Sequence, residues 1–459
     1  MRGPTTGWVA EAAGAALRAG DAAGAVLHAG DSDAPGPRRA VVDTRAAGAG
    51  DLFVGLRGER ADGGAFASAA LEAGAWGALV APEHAARAAA AAPPGGVVIA
   101  AEDPLASLQA LARAWRRELG ASVVGVTGST GKTSTKDILA ALLAPERRTH
   151  ATSQNLNTEI GLPLTILEAE PGTEVLVLEM AMRGEGQIAE LVAVAEPDVG
   201  VIVNVGPVHL ELLGTVERVA AAKAELLRDL RPGAACVVPF NESLLEPHRR
   251  ADLDTLTFGP GGEVMLLSFD GAPDGRGGTA EIEARGRRIL LELPYREPYN
   301  LLNTLAAVGA AVALGVRPSG RVEAGFSSLR GEIVELAGGV TVVNDCYNAN
   351  PMSMRAALTH LAETPADRRV AVLGRMAELG RDGEELHREV GDQAGALGID
   401  VLVTVGQDAG AYAERFAGQT YAAATPEEAG ALLAGIALPG DRVLVKGSRS
   451  VGLERVLDA

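Results

Sequence analysis

The segments "SVVGVTG", "EVLVLEM" and "DVGVIVNVG" are nearly unbroken runs of apolar, mostly β-branched residues, with helical stretches after each. A strand with one wet face would alternate polar and apolar positions. Runs like these suit parallel strands covered by helices on both faces. "VTVVNDC", "RRVAVLG", "VLVTVG" and "DRVLVKG" repeat the rhythm towards the C-terminus. "GAACVVPF" predicts a further strand. The stretch from Phe258 to Pro294 reads as antiparallel, with hairpin-like turns such as "DGRGG".

A chain of 459 residues is too long for one core. The rhythm divides it into residues 1–117, 118–317 and 318–459, with Pro318 and Gly320 marking the second boundary. The expected class is α/β with three domains. A central, mostly parallel sheet of phosphate-loop type lies between a smaller α/β N-terminal domain and a Rossmann-like C-terminal one. The net charge of -18 argues against nucleic acid as a partner, because phosphate neutralisation needs a basic surface. A small polyanion remains open, since a few local cations and helix N-termini can hold it. Cys236 and Cys346 have no metal spacing and form no disulfide framework. No apolar run is long enough to span a bilayer. Glu11 interrupts the early alanines, which makes a poor signal peptide, and a cytoplasmic location is expected.

Gly128, Ser129, Thr130, Gly131, Lys132, Thr133 and Ser134 sit where a strand gives way to a helix. The glycines let backbone N–H groups approach an anion, and the helix N-terminus adds partial positive charge. Lys132 can reach outer phosphates, and the Thr133 hydroxyl suits Mg²⁺. Val126 stands where the longer phosphate-loop pattern has glycine, so the short form "TGSTGKT" is the one present. A nucleoside triphosphate is the expected ligand.

Glu179 and His209 follow two of the parallel strands, at the sheet edge that carries the loop. Hydroxyl, carboxylate and imidazole are suitable partners for divalent metal near phosphate. In "TVERVAAAKAELLRDL", Lys223 falls on the apolar stripe with Val219, Ala220 and Leu226, while Glu225 falls on the polar side. Such a lysine either snorkels or loses its charge, and a neutral amine can add carbon dioxide to become a carbamate. The pattern alone favours snorkelling.

These stretches, with "NLNTEIGLPLTIL", "VGPVHLELLG", "NLLNTLAA", "NDCYNANPMSM", "VLGRMAELG" and "VLVKGSRSVGLERV", resemble the Mur ligase family over nearly the whole chain. The resemblance implies ATP-driven amide formation through an acyl phosphate. Its later stretches imply UDP-N-acetylmuramoyl-tripeptide and D-alanyl-D-alanine as substrates; a monomer is expected. It assigns Thr133 and Glu179 to one Mg²⁺, and His209 and carbamylated Lys223 to a second. It places Asn303 at adenine and Arg330 and Asp345 at ATP phosphate and ribose. Asn155, Asn157 and Thr158 would lie near the muramoyl substrate, and Tyr347, Asn348 and Asn350 on the dipeptide side. Asn350 before Pro351 reads equally as a helix N-cap. Thr44 and Arg45, with Asp43, Gly58 and Asp62, match the UDP-binding stretch. Departures from the family pattern are Thr44 for Ser, Gly64 near an expected His, Tyr299 for His and Arg375 for Asp. The alternatives are a related ligase adding another amino acid or using another acyl acceptor, and a nucleotide-binding module without ligase activity.

Overall fold

A computed structural model describes residues 3–14, 26–29, 33–272, 277–327, 329–336 and 338–458. The strands form three sheets, of five, ten and six strands. The five-stranded sheet uses strands between Val26 and Ala100, all parallel except the pairing of Val26–Ala29 with Val97–Ala100.

In the ten-stranded sheet, Ser122–Thr127 lies between Val175–Glu179 and Val199–Ile202, parallel to both. Its outer neighbours on the two sides are Thr149–Ala151 and Ala235–Pro239. The chain therefore leaves Ser122–Thr127 and builds outward in both directions. That reversal of order opens a crevice at the C-terminal ends of the strands, where α/β sheets bind ligands.

The apolar runs are buried throughout, as parallel strands between two helical layers require. One face packs against helices Pro104–Leu119, Gly161–Glu168, Gln187–Ala195 and Val216–Asp229, in a core continuous with residues of the first domain. The other face packs against helices Lys132–Leu143 and Pro298–Ala313. Each fully buried Leu or Val in these layers contributes about 1.5–3 kcal/mol of transfer free energy.

Beyond Asp254–Phe258 the sheet turns antiparallel, through Val264–Gly271, Gly278–Ala284 and Arg287–Leu293. Burial on Arg287–Leu293 alternates, which is the mark of one solvated face. The turn expected at "DGRGG" falls partly on residues 273–276, outside those described; the flanking strands bring Gly271 opposite Gly278. Gly320–Arg321 hydrogen-bonds alongside Leu291–Glu292, so the central sheet continues past position 318.

The six-stranded sheet runs Glu332–Leu336, Val340–Asn344, Asp441–Lys446, Arg368–Gly374, Val401–Val405, Gln419–Ala423, with only the first pair antiparallel. Both cysteines are buried and unpaired.

Candidate active site

After Ser122–Thr127 the backbone takes φ values of 159° at Gly128 and 74° at Gly131 before helix Lys132–Leu143 begins. Gly131 is obligatory on a second count. A Cβ there would come within 2.4 Å of Asn303 Oδ1, so only glycine lets helix Pro298–Ala313 press Asn303 against the loop. The loop is braced by the strand next door. Thr130 N–H donates to Asn204 Oδ1 at 2.9 Å, and Asn204 Nδ2 donates to Thr130 Oγ1 at 2.9 Å. Ser129 Oγ donates to Gly206 O and accepts from Gly206 N–H. Lys132 folds back, its Nζ donating to Gly128 O at 2.9 Å. Ser134 occupies the first helical turn. Asn204 was not singled out from sequence; its only signal is its place in "NVGPVH".

Thr133 Oγ1 donates to Glu179 Oε2 at 2.6 Å, and Asn157 Nδ2 donates to Glu179 Oε1 at 2.8 Å. Glu179 N–H donates to Thr152 Oγ1 at 2.9 Å, and the side chain is only 2% exposed. The carboxylate is thus fixed at the strand end, with the hydroxyl of the loop helix against it. Asn155 is exposed and supplies a backbone carbonyl to Asn157 N–H, while Thr158 is exposed one residue beyond.

Lys223 does not snorkel. It is 2% exposed, among the largest fully buried side chains, and among the described residues nothing bonds to its Nζ. Burial first, and then the charge of Lys132, push its amine well below the usual 10.5. Lys132 is also pushed down, by burial first; Glu179 opposes that shift and Arg330 adds to it. Lys132 thus lies within electrostatic reach of Glu179, Arg330 and Lys223. Glu225 is a correction to the helical pattern. It is buried, and its carboxylate accepts from Gly186 N–H at 2.6 Å and Ala189 N–H at 3.0 Å, capping helix Gln187–Ala195.

His209 hydrogen-bonds to none of these side chains among the described residues. It adopts a left-handed φ of 53°, and its Nδ1 lies 2.5 Å from Glu378 Oε2, a residue of the third domain. That hydrogen bond, more than any other cause, holds the Glu378 carboxyl below the usual range.

The third domain also meets the loop at Met352, whose Sδ accepts from Thr130 Oγ1 at 3.5 Å. Arg330 lies over the Tyr347 ring at 4.1 Å, and its Nε is buried with no hydrogen-bond partner among the described residues. Asp345 Oδ2 accepts from the buried Lys446 Nζ at 2.6 Å, and the same amine reaches Asn348 O at 3.1 Å. Lys446, unassigned in the sequence reading, thus ties Asp345 to the Tyr347–Asn350 loop. Asn348 Oδ1 accepts from Ala349 N–H. Asn350 Oδ1 accepts from Ser353 N–H at 2.9 Å, and Ser353 Oγ accepts from Asn350 N–H: a reciprocal cap with Pro351 at the first helical position.

Thr44 and Arg45 lie in a short turn of the first domain, bonded to none of these groups. Arg45 is exposed and forks onto Asp43, holding that carboxyl at about 2. At Gly64, near where the family pattern expects histidine, an imidazole arrives from elsewhere. His84, on helix Pro82–Ala91, would lie 2.3 Å from a Cβ at Gly64 and bonds Asp62 at 2.9 Å. Arg375 pairs with Asp408 at 2.9 Å, and Tyr299 packs edge-on to His360.

Residues 126–311 match the Mur ligase middle domain, and residues 329–449 match the Mur ligase glutamate ligase domain. The chain belongs to the Mur ligase family. Its relatives include the UDP-N-acetylmuramoyl-tripeptide–D-alanyl-D-alanine ligases of a Synechocystis strain, 36% identical, and of Bacillus subtilis, 35% identical. Each alignment covers 91% of this chain and at least 90% of the relative. The fold of this Mur ligase superposes on a crystal structure of MurF from Acinetobacter baumannii with a TM-score of 0.84 at 27% identity, covering 100% and 98% of the two chains. It superposes on a MurF ligase from Thermotoga maritima in complex with ADP with a TM-score of 0.79 at 33% identity, covering 92% and 96%.

Proposed function

We propose that this Mur ligase uses ATP to join D-alanyl-D-alanine to UDP-N-acetylmuramoyl-tripeptide, making the UDP-muramoyl-pentapeptide of peptidoglycan synthesis. The observation that carries the reading is the buried Glu179 carboxylate held against the Thr133 hydroxyl at the foot of one braced, anion-binding loop. The γ-phosphoryl group passes to the terminal carboxylate of the tripeptide. The dipeptide amine attacks the acyl carbon, the C–N bond forms, and phosphate leaves with the C–O electron pair. Such chemistry depends on positioning and charge neutralisation rather than on an enzyme nucleophile.

Lys132 and the loop amides hold the outer phosphates. Asn303 reaches adenine; Arg330 and Asp345 contact phosphate and ribose from the third domain. Thr44 and Arg45 take the UDP end, Asn155, Asn157 and Thr158 the muramoyl part, and Tyr347, Asn348 and Asn350 the dipeptide.

Thr133 and Glu179, already in contact, would hold one Mg²⁺, and His209 and Lys223 would hold a second. Bound Mg²⁺ would neutralise the phosphate charge there. Lys223 suits the second site through its buried, desolvated amine. With its basicity lowered by burial, the amine would add carbon dioxide, lose a proton and become a carbamate that offers oxygen. The buried, unpaired cysteines agree with a cytoplasmic enzyme, and no helix among the described residues is long and apolar enough to cross a membrane.

Phosphate release tests the reading. With ATP, Mg²⁺ and UDP-muramoyl-tripeptide, release should require D-alanyl-D-alanine. Release with meso-diaminopimelate or glutamate instead would assign the chain to another ligation.

A further inference from the structure

Glu378, from the third domain, touches the central rim in three ways. Its Oε2 meets His209 Nδ1 at 2.5 Å, its Oε1 lies 3.6 Å from Arg183 Nε, and its carbonyl accepts from Glu211 N–H at 3.3 Å. Arg183 follows the strand that ends in Glu179, and His209 follows Val199–Ile202, on the other side of Ser122–Thr127. One residue thus spans the ends of two central strands. Both partners of the shortest contact are in left-handed backbone, Glu378 at φ 62° and His209 at φ 53°. Non-glycine residues rarely sit there unless surrounding structure holds them, and such sites gather where function needs them.

The Glu378 loop is itself held. Met376 N–H donates to His387 Nε2 at 2.9 Å, and the other ring nitrogen faces Gly383 O. Ala377 N–H donates to Ser448 Oγ at 2.9 Å. Glu378 is therefore presented from a fixed base on the third domain.

We propose that Glu378 is a positioning residue: it takes the hydrogen bond of His209 Nδ1–H, which leaves Nε2 as the only free lone pair of the ring, and does so only while the third domain is docked. An ionised carboxylate can only accept, so the proton in this bond belongs to the imidazole. A histidine that serves a metal through one nitrogen is usually fixed by a carboxylate or carbonyl at the other. Here that carboxylate comes from a different domain, so docking and assembly of the second ion site become one event. The inference rests on reading His209 as a rim ligand.

The experiment uses the full chain. Nitrogen-15 spectra correlating ring nitrogens with ring protons report the His209 tautomer, assigned by loss of its signals in His209→Asn. In the unsubstituted protein Nδ1 should carry the proton. Glu378→Ala should shift the ring towards the Nε2–H form, while Glu378→Gln, whose amide oxygen still accepts, should keep it. Arg183→Ala removes the other partner of Glu378 and should leave the tautomer alone. Glu378→Ala should lower kcat by about 10–100-fold, with Glu378→Gln recovering most of it and the ATP dissociation constant unchanged in both. An unchanged tautomer in Glu378→Ala overturns the proposal, as does an unchanged kcat. If the unsubstituted protein ligates none of the substrates above, the proposed function fails instead, and the tautomer spectra still decide the role of Glu378.

Discussion

Lys223 destabilises the fold it sits in. Burial disfavours its charged amine, and no hydrogen bond reaches that amine among the described residues. Lys223→Met keeps the volume and removes the amine. It should raise the urea midpoint while reducing ligation at least about 100-fold, the separation expected when a strained residue is kept for function. Lys223→Ala should lose activity as well and regain part of it in formate or acetate, which can supply the missing oxygens; no regain would count against the carbamate. The sign of the pH effect follows from the lowered amine. Its folded value lies below 10.5, so between the two values the unfolded chain binds more protons, and stability rises with pH across that window. Urea titrations from neutral to mildly alkaline pH should show that rise flattened in Lys223→Met. The apolar stripe was enough to expose Lys223 in the sequence, because its helical neighbours are local. Glu225 was not legible. Its partners, Gly186 and Ala189, lie 39 and 36 residues away on another helix, and helical spacing carries no information about them.

At the level of elements, Asn350 separates two roles that the sequence left open. Its Oδ1 is occupied by Ser353 N–H and its N–H by Ser353 Oγ. Asn350→Ala should therefore cost about 1 kcal/mol of stability, read as a lower urea midpoint. Asp caps as well as Asn, so Asn350→Asp should keep the midpoint. The KM for D-alanyl-D-alanine then tests the ligand role. A large rise in Asn350→Asp at unchanged stability would mean that the amide touches the dipeptide; an unchanged KM would confine Asn350 to the cap. Parallel strands were readable because burial on both faces leaves no polar positions in them. Their spatial order was not, since the placing of Ser122–Thr127 between Val175–Glu179 and Val199–Ile202 depends on crossovers that no single strand encodes. The extension of the central sheet past 318 was hidden for a simpler reason. Gly320–Arg321 is a two-residue strand, too short to carry any period.

At the scale of the whole molecule, the proposed site is shared between two domains. Asp137 Oδ2 accepts from Ser327 N–H and Oγ, Met352 touches the phosphate loop, and His209 meets Glu378. Arg330 and Asp345 sit on the third domain, and the loop and Glu179 on the second. The sequence supplied both halves through separate motifs, but the way they meet depends on contacts between distant segments such as Thr130 and Met352. Interfaces of this kind usually permit relative motion, and ligand binding across them pulls the halves together. A single compact body of this length would have a radius of gyration of about 23 Å, and a loosely hinged chain a larger one. Small-angle scattering should therefore give a larger value for the free chain and a fall on the order of 1 Å with ATP analogue, Mg²⁺ and UDP-muramoyl-tripeptide. Analogue alone should produce only part of that fall, because it bridges the two domains without filling the first. Superimposable profiles with and without ligand would mean that the halves are already locked, and that the Glu378 contact with His209 is permanent rather than made on closure.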